Sequence, residues 1–150
     1  MQAVTTRADV AVLVDTARDL VAVALRSIAP EPVSPPQFRL LLLLHEDGQL
    51  SSAAAARALS VAPSSISRAT VRLADAGLVE RGSDPQHRGG VSLRLAPDGE
   101  RLVARVLARR YAELEAVLDS LPEQARHDCV AGMEALRAGL SSDRSIGGVW

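Results

Sequence analysis

Between Ser51 and Leu95 the spacing of apolar residues switches from a helical period to a period of two, and no other property of the chain narrows its possible folds as far. "SSAAAARAL" (51–59) reads as a short helix with Ser51 at its N-cap. The turn "SVAPSS" (60–65) leads into a second helix. There Ile66, Ala69, Leu73 and Ala76 fall on one side and Gly77 supplies the C-terminal stop. The period then drops to two. "LVER" (78–81) and "VSLRL" (91–95) read as strands, the second with Val91, Leu93 and Leu95 inward and Ser92 and Arg94 outward. Between them, "GSDPQHRGG" (82–90) is rich in turn residues. A short helix, a tight turn, a second helix and an immediate hairpin describe a winged helix–turn–helix.

Long helical patterns flank this unit. From Asp9 to Ile28 apolar residues recur at three and four, giving about five turns. "APEPVSPPQ" ends that helix and starts the next, with Ser34 as N-cap, Pro35 in the first turn and Gln37 closing a capping box. Phe38 and Leu40 to Leu44 make this second helix apolar almost all round, hence central, and "EDGQ" stops it. Pro97 or Asp98 opens a long helix striped by Leu102, Val103, Val106, Leu107, Leu114, Val117 and Leu118. "SLPE" (120–123) reads as another capping box, before a last helix carrying Ala125, Cys129, Met133, Leu136 and Leu140. The expected fold class is mainly α with a small β-hairpin. Its parts are an N-terminal dimerisation helix (1–33), a DNA-binding core (34–96), C-terminal dimerisation helices (97–140) and a flexible tail (141–150).

The second helix of the central pair carries Ser64, Ser65, Arg68 and Arg72 on its wet face, with Ser67 and Val71 beside them. Its first carboxylate, Asp75, comes three turns in. A helix entering the major groove needs hydrogen-bonding, non-acidic side chains there and reads bases with its N-terminal part. Arginine can grip guanine in a bidentate contact, serine holds phosphate or water, and Val71 suits a thymine methyl. Ser51, at a helix N-terminus, suits a phosphate. Arg88 beside Gly89 and Gly90 puts a cation on the narrow hairpin tip, where a minor groove would attract it. A solvated helix with an incidental shortage of acids is the bland reading of the same face.

The charge distribution agrees. Residues 51–95 hold six arginines against three carboxylates, a net of +3, while the rest holds eleven bases and fifteen acids, a net of −4. All seventeen bases are arginine, which fits a GC-rich genome. Hydrophobic residues make up 47% and aromatics only 2%, so the core is aliphatic. Asp9, Asp15 and Asp19 interrupt the N-terminal apolar residues, and no run reaches the ~20 that a membrane span needs; a cytoplasmic location is expected. The single Cys129 excludes an intrachain disulfide, and its place on an apolar stripe reads as a buried structural thiol rather than a redox sensor. His127 and Cys129 are badly spaced for a shared metal. No metal, no cofactor and no catalytic constellation is expected, so the chain is not read as an enzyme.

The stretch 50–102 resembles the winged-helix core of the MarR family of bacterial transcriptional regulators. The residues carrying the resemblance include Leu50-Ser51, Ala56, Leu59-Ser60, Ser67-Arg68, Leu73, Gly77-Leu78-Val79-Glu80-Arg81, Asp84-Pro85, Arg88, Leu95 and Gly99. The wing departs from the family pattern: His87 replaces an Asp, Gly89 an Arg and Ala96 a Thr. Arg88 then becomes the substitute wing contact, and His87 adds charge when protonated. Arg81 reads as a structural partner of Asp84 or Asp75.

The terminal helices carry more apolar surface than so small a central unit can cover, which points to a two-fold homodimer. A dimer presents two reading helices about 34 Å apart, one turn of a pseudo-palindromic operator. The resemblance implies a repressor relieved by a small molecule bound between the dimerising helices and the winged unit. Arg18, Arg26, Arg39 and His45 are the candidates for meeting a small anionic effector, against solvated or salt-bridged faces as the plainer reading. The alternative function is a winged-helix protein-interaction module, an anti-regulator that does not bind DNA.

Overall fold

The computed structural model describes residues 4–84, 86 and 88–142. Helix α1 (Arg7–Ile28) begins two residues before the expected Asp9, because Thr6 and Asp9 form a capping box. Helix α2 (Pro35–Asp47) has the expected box between Ser34 and Gln37 and ends at Gly48, whose φ is 74°. Helix α3 (Ser52–Ala58) is capped by Ser51, whose Oγ accepts from the Ala54 N–H at 3.0 Å. Helix α4 (Pro63–Asp75) starts inside the expected turn, with Pro63 in its first turn, and Gly77 takes the left-handed φ of 72° just beyond its end.

The expected hairpin is part of a three-stranded sheet. Strand β1 (Leu50–Ser51) pairs with β3 (Val91–Leu95), and β3 pairs with β2 (Val79–Ser83), all antiparallel, in the order β1-β3-β2. Two residues ahead of a helix carry no period, so β1 was not readable in the sequence. Its presence corrects one expectation. Ser92 is buried rather than outward, because β3 is central and Ser51 and Gly82 lie across from it on either side.

Helix α5 (Pro97–Asp119) follows without a side-chain cap, and α6 (Glu123–Ser142) completes the described chain. The "SLPE" capping box does not form: Ser120 ends α5, and its hydroxyl donates to the Val117 carbonyl at 2.6 Å. Residues 143–150 of the expected tail lie outside the described residues, and Ser141 and Ser142 continue α6.

The core joins the faces of α2, α3, α4, β3 and α5 through Phe38, Leu40, Leu41, Leu44, Ala55, Ile66, Leu73, Leu93, Leu102, Val103 and Val106. Leu78 ties three elements together. Its N–H donates to the Leu73 carbonyl of α4, its carbonyl accepts from the Ala96 N–H at 3.0 Å, and Gly99 of α5 packs on that carbonyl. The terminal helices contribute little to this core. The outer half of α1 exposes Val10, Val12, Leu13 and Val14, and no described side chain of α6 is buried. Cys129, expected to be buried, is therefore exposed: its stripe has nothing in the single chain to pack against. Among the described residues no helix is long and apolar enough to cross a membrane.

Candidate nucleic-acid interface

Helix α4 turns Ile66, Thr70 and Leu73 to the core. The period of 3.6 then leaves Ser64, Ser67, Arg68, Val71 and Arg72 exposed on the opposite side, with Ser65 half-buried at its edge. Ala76, expected on the apolar face, lies beyond the helix and is exposed, and Thr70 takes its place in the core. Neither Arg68 nor Arg72 forms a hydrogen bond or ion pair with any described residue, whereas Arg94 at the sheet is paired with Glu80. Arg68 and Arg72 face solvent with their full donor sets.

A hollow of ≈ 200 Å³ separates α4 from the first turn of α2, lined by Ser34, Gln37, Ser65, Arg68 and Arg72. The α2 terminus offers it no free N–H group. Pro35 and Pro36 have none, Gln37 N–H is taken by Ser34 Oγ, and Phe38 N–H by the Ser34 carbonyl. Positive character in this hollow comes from the two guanidiniums.

Ser51 is half-buried, its hydroxyl oxygen committed to capping α3 while its proton remains available to a phosphate. At the far end of the sheet, Asp84 Oδ1 accepts from the Gln86 N–H at 2.9 Å and Asp84 N–H donates to the Gly90 carbonyl at 3.0 Å, closing the loop. Gly89 takes φ 81°, and Arg88 is exposed beside it. His87 and Pro85 lie outside the described residues. Arg81 forms no ion pair among the described residues, so neither Asp84 nor Asp75 holds it as expected.

The four effector candidates do not converge. Arg18 is exposed and pairs with Asp15 at 2.9 Å, Arg26 pairs with Glu113, and His45 Nδ1 lies 2.8 Å from Glu100 Oε2. Arg39 alone of the four lines a groove of ≈ 740 Å³ between α1, α2 and α5, walled by Leu20, Val21, Leu25, Phe38 and Leu42.

The sequence reading missed the other cation there, Arg110. Its guanidinium donates to Ser27 Oγ from both Nε and Nη2 at 3.3 Å and stands 5.8 Å from the centre of the Phe38 ring. Burial pushes its pKa below the ordinary arginine value. One residue earlier, Arg109 Nε donates to the Ser27 carbonyl at 2.9 Å, and Arg109 and Arg105 grip the Glu31 carboxylate at 2.6 and 2.8 Å. The Arg105 hydrogen bond is the main reason the Glu31 carboxyl titrates below its usual range. The only local signal of this cluster is the i, i+4 spacing of Arg105 and Arg109; their partner lies more than seventy residues away in sequence.

A family model described as the MarR family matches residues 32–88. An uncharacterised HTH-type transcriptional regulator of Bacillus subtilis, YsmB, is 30% identical over 92 residues, covering 61% of this chain and 63% of that protein's length. Among solved structures, RV1404 from Mycobacterium tuberculosis superposes with a TM-score of 0.82 at 29% identity, over 92% of this chain and 97% of its own. A MarR family protein from Bacillus stearothermophilus gives a TM-score of 0.80 at 25% identity, over 92% and 99% of the two chains.

Proposed function

We propose that this chain, similar over residues 32–88 to the MarR family, is a winged-helix transcription regulator that acts as a homodimer on a pseudo-palindromic DNA operator, as a repressor that a small anionic effector releases. The observation that carries this reading is the outward face of α4, where Arg68 and Arg72 have no partner among the described residues and no carboxylate precedes them on the helix. In the proposal, Arg68 and Arg72 read bases. Ser64, Ser65, Ser67 and Ser51 hold phosphates or bridging water, and Arg88, with His87 when protonated, touches the minor groove from the wing. Escherichia coli MarR, which shares the fold at 19% identity, has been solved in a mutant form complexed with operator DNA.

The domain roles follow the exposed surface. Residues 34–96 make the DNA-binding core, and the flanking helices dimerise through the apolar stripes that the single chain leaves uncovered. The effector site is the groove between α1, α2 and α5, where an apolar body faces Leu20, Leu25 and Phe38 and an acidic head replaces Ser27 as the partner of Arg110. Scarce aromatics favour an aliphatic rather than a stacked body. A ligand held there changes the spacing of the two α4 helices by preferring one dimer geometry.

Selection from a randomised duplex pool tests the reading. The expected result is an enriched palindrome bound with a steep inverse dependence on salt. A folded, dimeric protein that enriches no sequence overturns it and favours a protein-interaction role for the same face.

A further inference from the structure

Val71 occupies the outward side of α4, 42% exposed, with Ser67 and Arg68 one turn before it and Arg72 beside it. The fold does not ask for it. Ile66, Thr70 and Leu73 carry the core contacts of this helix, and a β-branched residue at a wet helical position loses rotamer freedom that arginine largely keeps and alanine does not have to lose. Nor does it belong to an apolar patch, since the exposed residues around it on α4 are Ser64, Ser67, Arg68, Arg72 and Asp75. A protein partner that wanted apolar surface would find one isolated side chain among guanidiniums and hydroxyls. The major groove offers one apolar group, the C5-methyl of thymine.

We infer that Val71 is a specificity-determining residue that packs its methyl groups on a thymine C5-methyl beside the base pair engaged by Arg68. The inference rests on the DNA-binding role proposed above. Along the helix axis, Arg68 and Val71 are separated by roughly 4.5 Å, three residues of rise. One base step is about 3.4 Å. Guanine and thymine are therefore adjacent or one pair apart in each half-site.

The test uses the full chain and the site it enriches from a randomised pool. Each thymine in turn is replaced by uracil, which removes only the methyl, and Kd is read by fluorescence anisotropy for wild type and Val71→Ala. Alanine is a better helix former, so the variant keeps its thermal melt. One thymine per half-site, within two pairs of a guanine, is expected to lose about fourfold in affinity for wild type on demethylation, the worth of one buried methyl. Val71→Ala is expected to bind the thymine and uracil duplexes equally. An enriched site without such a thymine, or a uracil penalty that persists in Val71→Ala, overturns the inference and leaves the DNA reading intact. Failure to enrich any site overturns both.

Discussion

A Cβ placed on Gly99 would stand 2.1 Å from the carbonyl oxygen of Leu78. The neighbour is backbone and is already hydrogen-bonded to Ala96 N–H, so it cannot step aside. Gly99→Ala is expected to destabilise the protein by about 3 kcal/mol through overpacking, read as a lower urea midpoint at unchanged slope. An unchanged midpoint would show that α5 does not press on Leu78.

Glu31 is the hub of the polar cluster between α1 and α5. The hydrogen bond from Arg105 leads in lowering its carboxyl pKa, Arg109 adds to it, and burial opposes both. The folded value therefore lies below the ordinary 4.5, and the stabilisation is complete above that pH and lost as pH falls through the folded value. Glu31→Gln is expected to cost about 1–2 kcal/mol at neutral pH, less than a fully buried pair because the arginines are partly solvated. Denaturant titrations should find the two proteins converging as the pH falls from 4.5 through the lowered folded value.

Thr70 faces the core of α4, and its hydroxyl makes no hydrogen bond among the described residues. An unmet buried hydroxyl is a cost, so Thr70→Val should raise stability by about 1 kcal/mol with DNA affinity unchanged. A loss of stability would mean that the hydroxyl has a partner.

Arg68 and Arg88 are expected to fail differently. Arg68→Ala should relax preference at one base pair per half-site by ~1–3 kcal/mol, because a bidentate base contact is lost. Arg88→Ala should weaken all sequences alike and reduce the salt slope by about 1. Binding of matched and mismatched duplexes across a salt series separates the two.

Leu13 on α1 and Leu136 on α6 are exposed on stripes that the single chain does not cover. Sedimentation equilibrium should find twice the chain mass for wild type. Leu13→Glu combined with Leu136→Glu should approach one chain mass while retaining its helical circular dichroism, since neither residue serves the central core.

The elements that could be read in advance are those whose signal is local. The Ser34–Gln37 box, the Ser51 cap, Gly77 and the alternation in 91–95 each need only a few neighbouring residues. What escaped was settled across distance. Ser92 is buried because of β1, two residues of no visible period. Ser120 chose the preceding carbonyl over the following helix. Arg110 and Glu31 acquire meaning only when α5 lies against the end of α1. On the candidate interface, helical phase alone set Arg68, Arg72 and Val71 outward. Which arginines remain unpaired could not be read that way, as Arg26 and Arg94, both ion-paired, illustrate.

Leu78 has a mechanical corollary. Because it is fastened at once to the end of α4, to Ala96 and to the first turn of α5, α4 and the long α5 cannot pivot separately. The 23 residues of α5 make an arm of roughly 34 Å rooted at that bolt. A tilt of about 5° at the root displaces the far end by roughly 3 Å over such a length, and a push at the far end returns to α4 as rotation. In the dimer proposed above, anything that wedges the outer ends of two such arms apart is expected to turn both α4 helices.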